Sequence, residues 1–184
     1  MINRFYTVFL TFVIFLLSKN VLAKDLEINA KIIDIEKTSQ IIIAEGNVEV
    51  IDLKNNKILS EKIKYDKQNQ KLNSFGATKI ITSEEFTIIG ENIFYDNNEK
   101  ILSSNSKTRI IDIDGNTIEV SMFNYIVEKN MFLSKGNIKV KDKNSNEYYF
   151  SEIYIDEKKR KIVGSDIKAF LIDGSFKTDP RNDP

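Results

Sequence analysis

Apolar and polar residues alternate over short stretches from Lys24 onwards. In "KIKYD" (62–66) and "NIFYD" (92–96), Ile and Tyr stand two positions apart, so they share one face of an extended strand. Most apolar residues here are Ile, Val, Leu, Phe or Tyr, a composition that favours strands. No stretch keeps an apolar period of 3.6 residues. The pattern therefore predicts an all-β domain with little helix.

Clusters of turn-forming residues separate the predicted strands. They read "DLKNNK" (52–57), "DKQNQK" (66–71), "DNNEK" (96–100), "DIDGN" (112–116), "DKNSNE" (142–147) and "DEKKRK" (156–161). The stretch "IDIDGNTIEV" (111–120) predicts a hairpin with Asp114-Gly115 at its tight turn.

The strands and turns recur with a period of about 30 residues. Gly46, Gly76 and Gly136 lie on this lattice, and Ser106 occupies the missing position. Four further columns of apolar residues keep the same register: Ile63, Ile93, Phe123 and Ile153; Tyr65, Tyr95, Tyr125 and Ile155; Leu72, Leu102, Phe132 and Ile162; Val50, Ile80, Ile110 and Val140. Ile33, Ile35 and Ile42 extend it backwards as a half-unit. A repeat of this length indicates stacked units, and we expect about four of them to enclose one core between two curved sheets. Each glycine should mark a bulge or bend.

The chain ends differ from this pattern. Residues 1–23 combine Arg4, an apolar run over 5–17 and Val21-Leu22-Ala23, which predicts a cleavable signal peptide. A membrane anchor is the alternative, but the run is shorter than the roughly 20 residues that span a bilayer. Residues 24–178 then form one domain, and 179–184 a polar tail.

Composition removes several classes of function. The chain has no Cys and no His, which excludes disulfide scaffolds, Ser-His-Asp and Cys-His catalysis, and His-based metal sites. Its 27 basic residues, less Arg4 and Lys19 of the signal segment, leave 25 against 27 acidic ones. The net charge of −2 argues against a nucleic-acid partner. We expect no enzyme activity, no cofactor and no metal site.

Units of the form "AEGNVEV" (44–50) followed by "SEKIKYD" (60–66) resemble the OstA-like (organic solvent tolerance) domain of the lipopolysaccharide-transport family. The resemblance covers roughly 25–178. The tail "FKTDPRNDP" (176–184) is similar to the segment that joins this domain to an outer-membrane barrel, although no barrel follows in the sequence.

The resemblance implies a twisted open β-jellyroll in the periplasm, associated with the outer membrane. Its partners would be lipopolysaccharide, whose acyl chains it shields, other jellyroll components of the transport system stacked edge to edge, and an outer-membrane barrel. An unpaired sheet edge does invite strand addition. The implied protein is either the N-terminal domain of an assembly protein or a stand-alone periplasmic bridge.

The lattice residues that face one side of the strands are the candidate lipid-binding residues. They are Val48, Val50, Ile63, Tyr65, Ile80, Ile93, Tyr95, Ile110, Phe123, Tyr125, Ile138, Val140 and Ile153. For any single one of them, a place in an ordinary core is the favoured interpretation. The tyrosines could also pack their rings inside and leave their hydroxyls in water.

Other polar motifs point less clearly to a site. Asp112, Asp114 and Gly115 echo the start of a calcium loop, but the twelfth position holds Phe123 instead of Glu, so we read a turn. The basic run "KKRK" (158–161) could contact phosphates or form a solvated turn. Two alternatives to lipid transport stay open: a right-handed β-helix that acts on polysaccharide through the column Asp66, Asp96 and Asp156, and a structural surface protein.

Overall fold

The computed structural model describes residues 26–83, 85–156, 158–159 and 161–172. The predicted signal segment and the tail at 179–184 lie outside these residues. These residues contain fifteen strands: β1 (Leu26–Asn29), β2 (Ile32–Glu36), β3 (Ile41–Asp52), β4 (Lys57–Asp66), β5 (Lys71–Ile81), β6 (Thr87–Glu91), β7 (Phe94–Asp96), β8 (Ile101–Ser104), β9 (Thr108–Ile111), β10 (Thr117–Val120), β11 (Phe123–Ile126), β12 (Met131–Lys141), β13 (Glu147–Asp156), β14 (Lys161–Ser165) and β15 (Lys168–Phe170).

The strands form ten antiparallel segments, which we call rungs 1–10. Rungs 2, 3, 4, 8 and 9 are the continuous strands β3, β4, β5, β12 and β13. The other five are pairs of consecutive strands, from β1–β2 as rung 1 to β14–β15 as rung 10. Each rung pairs with the next, and all of them belong to one sheet. The predicted all-β fold, an open jellyroll-like stack of 30-residue strand repeats, is confirmed.

Near its middle, every rung is either interrupted or paired across a register shift. The register of β3 against β4 shifts between Glu45 and Val48, and that of β12 against β13 shifts between Lys135 and Ile138. Gly46 and Gly136 lie at these points, and Gly76 lies at the equivalent register shift of β5 against β4. Their φ values of 78°, 99° and 73° are ones that glycine adopts without strain. The predicted role of the glycine lattice as a row of bends is therefore confirmed.

The bend divides the sheet into two halves. Half A contains β1, β6, β9, β10 and β15 with the adjoining parts of the continuous strands, and half B contains β2, β7, β8, β11 and β14 with theirs. Val50 in half A and Ile63 in half B are each 1% exposed. A single sheet leaves both faces wet, so burial this complete requires a second layer. Because the described residues contain no other layer, the two halves fold towards each other and cover their inward faces.

This arrangement corrects two expectations. The core lies between two halves of one bent sheet and not between two separate sheets. The β-helix alternative needed parallel strands, and every strand pairing of the described residues is antiparallel. The single helical turn found in the described residues is 3-10, at Val127–Lys129. None of the helical segments within that part of the chain could cross a bilayer.

Candidate functional site: the interior between the two halves

All thirteen candidate lipid-binding residues lie on the inward face. Those of rungs 2 and 3, Val48, Val50, Ile63 and Tyr65, form a cluster with Ala44 and Leu72. The other nine, Ile80, Ile93, Tyr95, Ile110, Phe123, Tyr125, Ile138, Val140 and Ile153, lie in or against a larger cluster that contains Leu102 and Phe132. Ile58 and Tyr95 contact both clusters, so the interior is continuous along the stack. Their role in lipid binding stays a prediction.

Burial within this interior decreases away from the bend on rungs 8 and 9, whereas on rungs 2 and 4 it stays nearly complete out to Val50 and Ile80. Residues beside the bend, such as Ile138 and Ile153, are 1–2% exposed. Two positions further along the same strands, Val140 and Ile155 are only half-buried. Among the thirteen candidates, the half-buried ones are Tyr95, Ile110, Tyr125 and Val140. The interior is therefore a trough that is sealed along the bend and partly open at its mouth, chiefly in half A from Ile110 to Val140.

The tyrosine column lies close to this mouth. The hydroxyl of Tyr65 donates to Gln70 Oε1 at 3.1 Å, that of Tyr95 to Asn97 Oδ1 at 3.2 Å and that of Tyr125 to Asn130 Oδ1 at 3.4 Å. Each acceptor belongs to the polar turn that follows the tyrosine. Burial, followed by the charges of Asp52, Asp96 and Glu128, raises the pKa of Tyr95. The rings thus contribute to the apolar interior, while neutral hydroxyls hold the turns at its rim.

A column of buried serines lines the bend, and the sequence analysis missed it. Ser74, Ser104 and Ser134 are 2–3% exposed and lie 30 residues apart, two positions before each glycine-lattice position. Ser104 Oγ donates to the Glu91 carbonyl at 2.9 Å, and Ser134 Oγ donates to the Met122 carbonyl at 2.7 Å. These bonds satisfy backbone groups where the ladder is interrupted, so the column holds adjacent rungs together at the bend.

Ser74 makes the densest of these contacts. Its Oγ accepts from the Ile93 amide at 2.9 Å and from Thr78 Oγ1 at 2.8 Å. Thr78 Oγ1 in turn lies 3.2 Å from Ser60 Oγ. Three buried hydroxyls therefore form a connected polar network at the apex of an otherwise apolar interior. The signal in the sequence was the shared lattice position of the three column serines.

The turns at the outer end of half A carry a second repeat that the sequence analysis missed. Asp52, Asp112 and Asp142 each accept the amide and the side-chain amide of an asparagine four residues later. The Oδ1 of that asparagine then accepts a more distant amide at 2.8–2.9 Å: Asn56 from Ser83 and Asn116 from Lys143 in the next turn at this end, and Asn146 from Ile172 just after β15. Successive turns are thereby tied to one another.

The acidic positions singled out from the sequence have structural partners. Asp66, Asp96 and Asp156 each accept backbone amides of the turn they begin. Hydrogen bonds from Asn69, Glu99 and Lys159, the largest cause in each case, lower the pKa of these carboxyls. Asp112 binds Asn116 across the turn predicted for the calcium-like motif. That loop spans five residues with Gly115 at a φ of 85°, and so is wider than the predicted Asp-Gly turn.

The outward face is polar and carries several ion pairs. Lys62 pairs with Glu45, Lys135 with Glu152 and Lys139 with Glu147, each at 2.7 Å. In the basic run, Lys159 pairs with Asp156 at 3.2 Å in a turn, as expected for a solvated cluster. In the described part of the chain, no group of three or more His, Cys, Asp or Glu side chains could hold a metal ion.

The apolar columns become exposed at both edges of the sheet. Ile35 on β2 is 56% exposed and Ile162 on β14 is 61% exposed, whereas Tyr65 and Leu72 at the equivalent positions of inner rungs are buried. The repeat correctly assigned these residues to the apolar columns, but an edge strand has no outer neighbour to cover them. Each end of the stack therefore presents an apolar column beside unpaired backbone groups.

Comparisons with known proteins give similarity in structure alone. No protein-family model matches the chain, and no curated protein matches it significantly. Among solved structures, it is similar to the crystal structure of LptH, the LptA homologous periplasmic component of the conserved lipopolysaccharide transport device from Pseudomonas aeruginosa. The identity is 12% and the TM-score 0.34, over 80% of this chain and 94% of that chain. At these values the similarity carries no argument about function, which depends on the residues above.

Proposed function

We propose that this chain is a non-enzymatic periplasmic domain for lipopolysaccharide transport and outer-membrane assembly. Its trough shields acyl chains, and its edges dock with similar domains. The observation that carries the proposal is the graded interior, sealed at the bend and half-exposed at Ile110, Tyr125 and Val140. The resemblance of "AEGNVEV" and "SEKIKYD" to the OstA-like domain supplies the lipid class.

The energetics favour an acyl ligand at the mouth. Burial of each methylene contributes about 0.8 kcal/mol, so a few methylenes per chain provide useful affinity. In half A the half-buried residues Ile110, Ile118 and Val140 lie on the consecutive rungs 6 to 8, two positions outward from sealed residues such as Val120 and Ile138. A long aliphatic chain can therefore lie along the mouth without displacing the packed residues at the bend.

Photocrosslinking tests this function. A photoreactive residue at Tyr125 or Val140 should yield lipopolysaccharide adducts in cells, whereas one at outward-facing Glu61 or Glu91 should yield none. The mouth positions are preferable to Ile63 or Phe123, because those residues are 1% exposed and a bulky probe there would disturb packing. Equal labelling at inward and outward positions, or none at either, would refute the trough as a lipid site.

The edges support docking in one register. Across rungs 4 and 5, Lys71 faces Asp96 and forms an ion pair of 3.4 Å, and Leu72 faces Tyr95. The lattice positions equivalent to Lys71 and Leu72 on β14 are Lys161 and Ile162. Those equivalent to Asp96 and Tyr95 on β2 are Glu36 and Ile35. If the β14 edge of one domain meets the β2 edge of another in this register, a charge pair and an apolar pair form together.

Charge reversal tests the docking. Lys161→Glu should weaken self-association in analytical ultracentrifugation, and Glu36→Lys should do the same. The two changes combined should restore it. Lys79→Glu, on the outward face and distant from both edges, is the matched control. Association that is unchanged by either single substitution would exclude this edge register.

A further inference from the structure

We call the line of pairing between two neighbouring rungs a seam. Two seams have the least continuous pairing in the described sheet: the one between rungs 5 and 6 and the one between rungs 7 and 8. Between β4 and β5, pairing runs from Lys57 to Asp66 with one short interruption. At the seam of rungs 5 and 6, it covers residues 87–89 of β6 and 94–96 of β7, and residues 90–93 have no ladder partner. At the seam of rungs 7 and 8, residues 120–123 are likewise unpaired.

These two seams differ in the side chains that span them. At rungs 7 and 8, Asn116 Oδ1 accepts the Lys143 amide at 2.8 Å and ties the turns on either side. The lattice position equivalent to Asn116 at rungs 5 and 6 is Phe86, whose ring has no hydrogen-bond acceptor. The turn there is closed by Thr82 Oγ1, which accepts the Phe86 amide at 3.0 Å, in place of an aspartate.

Other departures from the repeat occur near the same seam. Ser106 replaces the lattice glycine in rung 6, and rungs 5, 6 and 7 are the three consecutive inner rungs that are broken at the bend. The irregular positions of the repeat are thus concentrated near this seam, which indicates that the local structure is specified differently there. At the bend, Ser104 Oγ bonded to the Glu91 carbonyl spans the seam.

We propose that the seam between β6 and β9 is the line along which this sheet opens first. Opening there separates Ile88 from Ile110, which face each other across the seam on the inward side. The trough then gains lateral access at its midpoint. This property concerns where the sheet yields, with or without lipid, and it extends beyond the proposed function.

Residue-resolved amide exchange of the lipid-free protein tests the proposal. Amides that bond across the seam in residues 87–89 and 109–111 should exchange faster than those in residues 117–119 and 139–141. Phe86→Asn supplies the missing acceptor and should slow the first set about fivefold, as expected for one added hydrogen bond. The double variant Thr82→Asp with Phe86→Asn rebuilds the whole turn motif and should slow exchange at least as much.

Asn116→Phe is the matched control, since it removes the tie from a seam with the same gap. It should accelerate the second set about fivefold and leave the first set unchanged. Two results would overturn the proposal. One is amide exchange that is as slow at the seam of β6 and β9 as at the seam of rungs 7 and 8. The other is exchange at the seam of β6 and β9 that stays unchanged in the folded Phe86 variants. If those variants fail to fold, the Asn116→Phe result decides. Because no lipid is present, failure here leaves the lipid-binding function untouched.

Discussion

Replacing Ser74 by alanine should destabilise the protein by about 2 kcal/mol, within the 1–3 kcal/mol that leaving a buried donor unsatisfied costs. The Ile93 amide donates to Ser74 Oγ at 2.9 Å, and Ser74 is 2% exposed. Alanine removes the acceptor but leaves the amide in place. Since water has little access to this position, the amide would lose its partner upon folding.

The size of the effect can be assigned to hydrogen bonding because the volume change is small. Ala44 occupies the equivalent lattice position in rung 2 and is 1% exposed, so an alanine fits the bend without strain. Thr78 Oγ1 retains contacts with Ser60 Oγ and the Gly76 carbonyl. The Ile93 amide therefore accounts for most of the loss.

Urea unfolding monitored by circular dichroism would measure this loss as a lower midpoint with an unchanged slope. A loss of about 2 kcal/mol also corresponds to a fall in Tm of roughly 4–8 °C for a domain of this size. Ser103→Ala, at the half-buried position next to Ser104 of the serine column, is the control and should change stability by less than about 0.5 kcal/mol. If Ser74→Ala is no less stable than Ser103→Ala, the serine column does not hold the bend as described.

Two further predictions concern the core and the turns. Phe123→Ala should lower the free energy of unfolding by about 3–5 kcal/mol, because this 1% exposed ring stacks on Phe132 with centroids 5.8 Å apart. Phe75 is 42% exposed, so Phe75→Ala should lower it far less. Similar losses of stability for the two variants in calorimetry would contradict the packing. A side-chain hydrogen bond from Asn146, then backbone amides, lower the pKa of Asp142, so its stabilisation is present above the ordinary carboxyl pKa and is lost as the pH falls through the lowered folded value. Unfolding between pH 5 and pH 2 should therefore depend less on pH in Asp142→Asn than in the exposed control Asp114→Asn; identical profiles would exclude this linkage.

The sequence predicted the repeat well because its signal is local. Glycine at Gly46, Gly76 and Gly136 has one strong reason to recur, a positive φ, and the alternation within "KIKYD" fixes which side chains point inward. Strand assignment and the inward columns followed from those two facts.

The parts that were missed depend on partners distant in sequence. Ser134 resembles any polar strand residue until its acceptor, the Met122 carbonyl of the neighbouring rung, is known. Likewise, the exposure of Ile162 depends on its being in the last rung and not on its own residue type. The sequence also could not show that one sheet bends on itself where two sheets were expected. A bend within a strand and a gap between two strands leave the same local pattern of apolar and polar residues.

The asparagine ties and the glycine bends together make the chain modular in length. Each block of 30 residues brings its own bend, its own inward columns and one turn at each end of the sheet. Removing or duplicating 30 residues would leave every remaining strand facing the same way, whereas a change of 15 would invert the order of the turns. The distance that one polypeptide spans can therefore change in steps of two strands without any new folding rule.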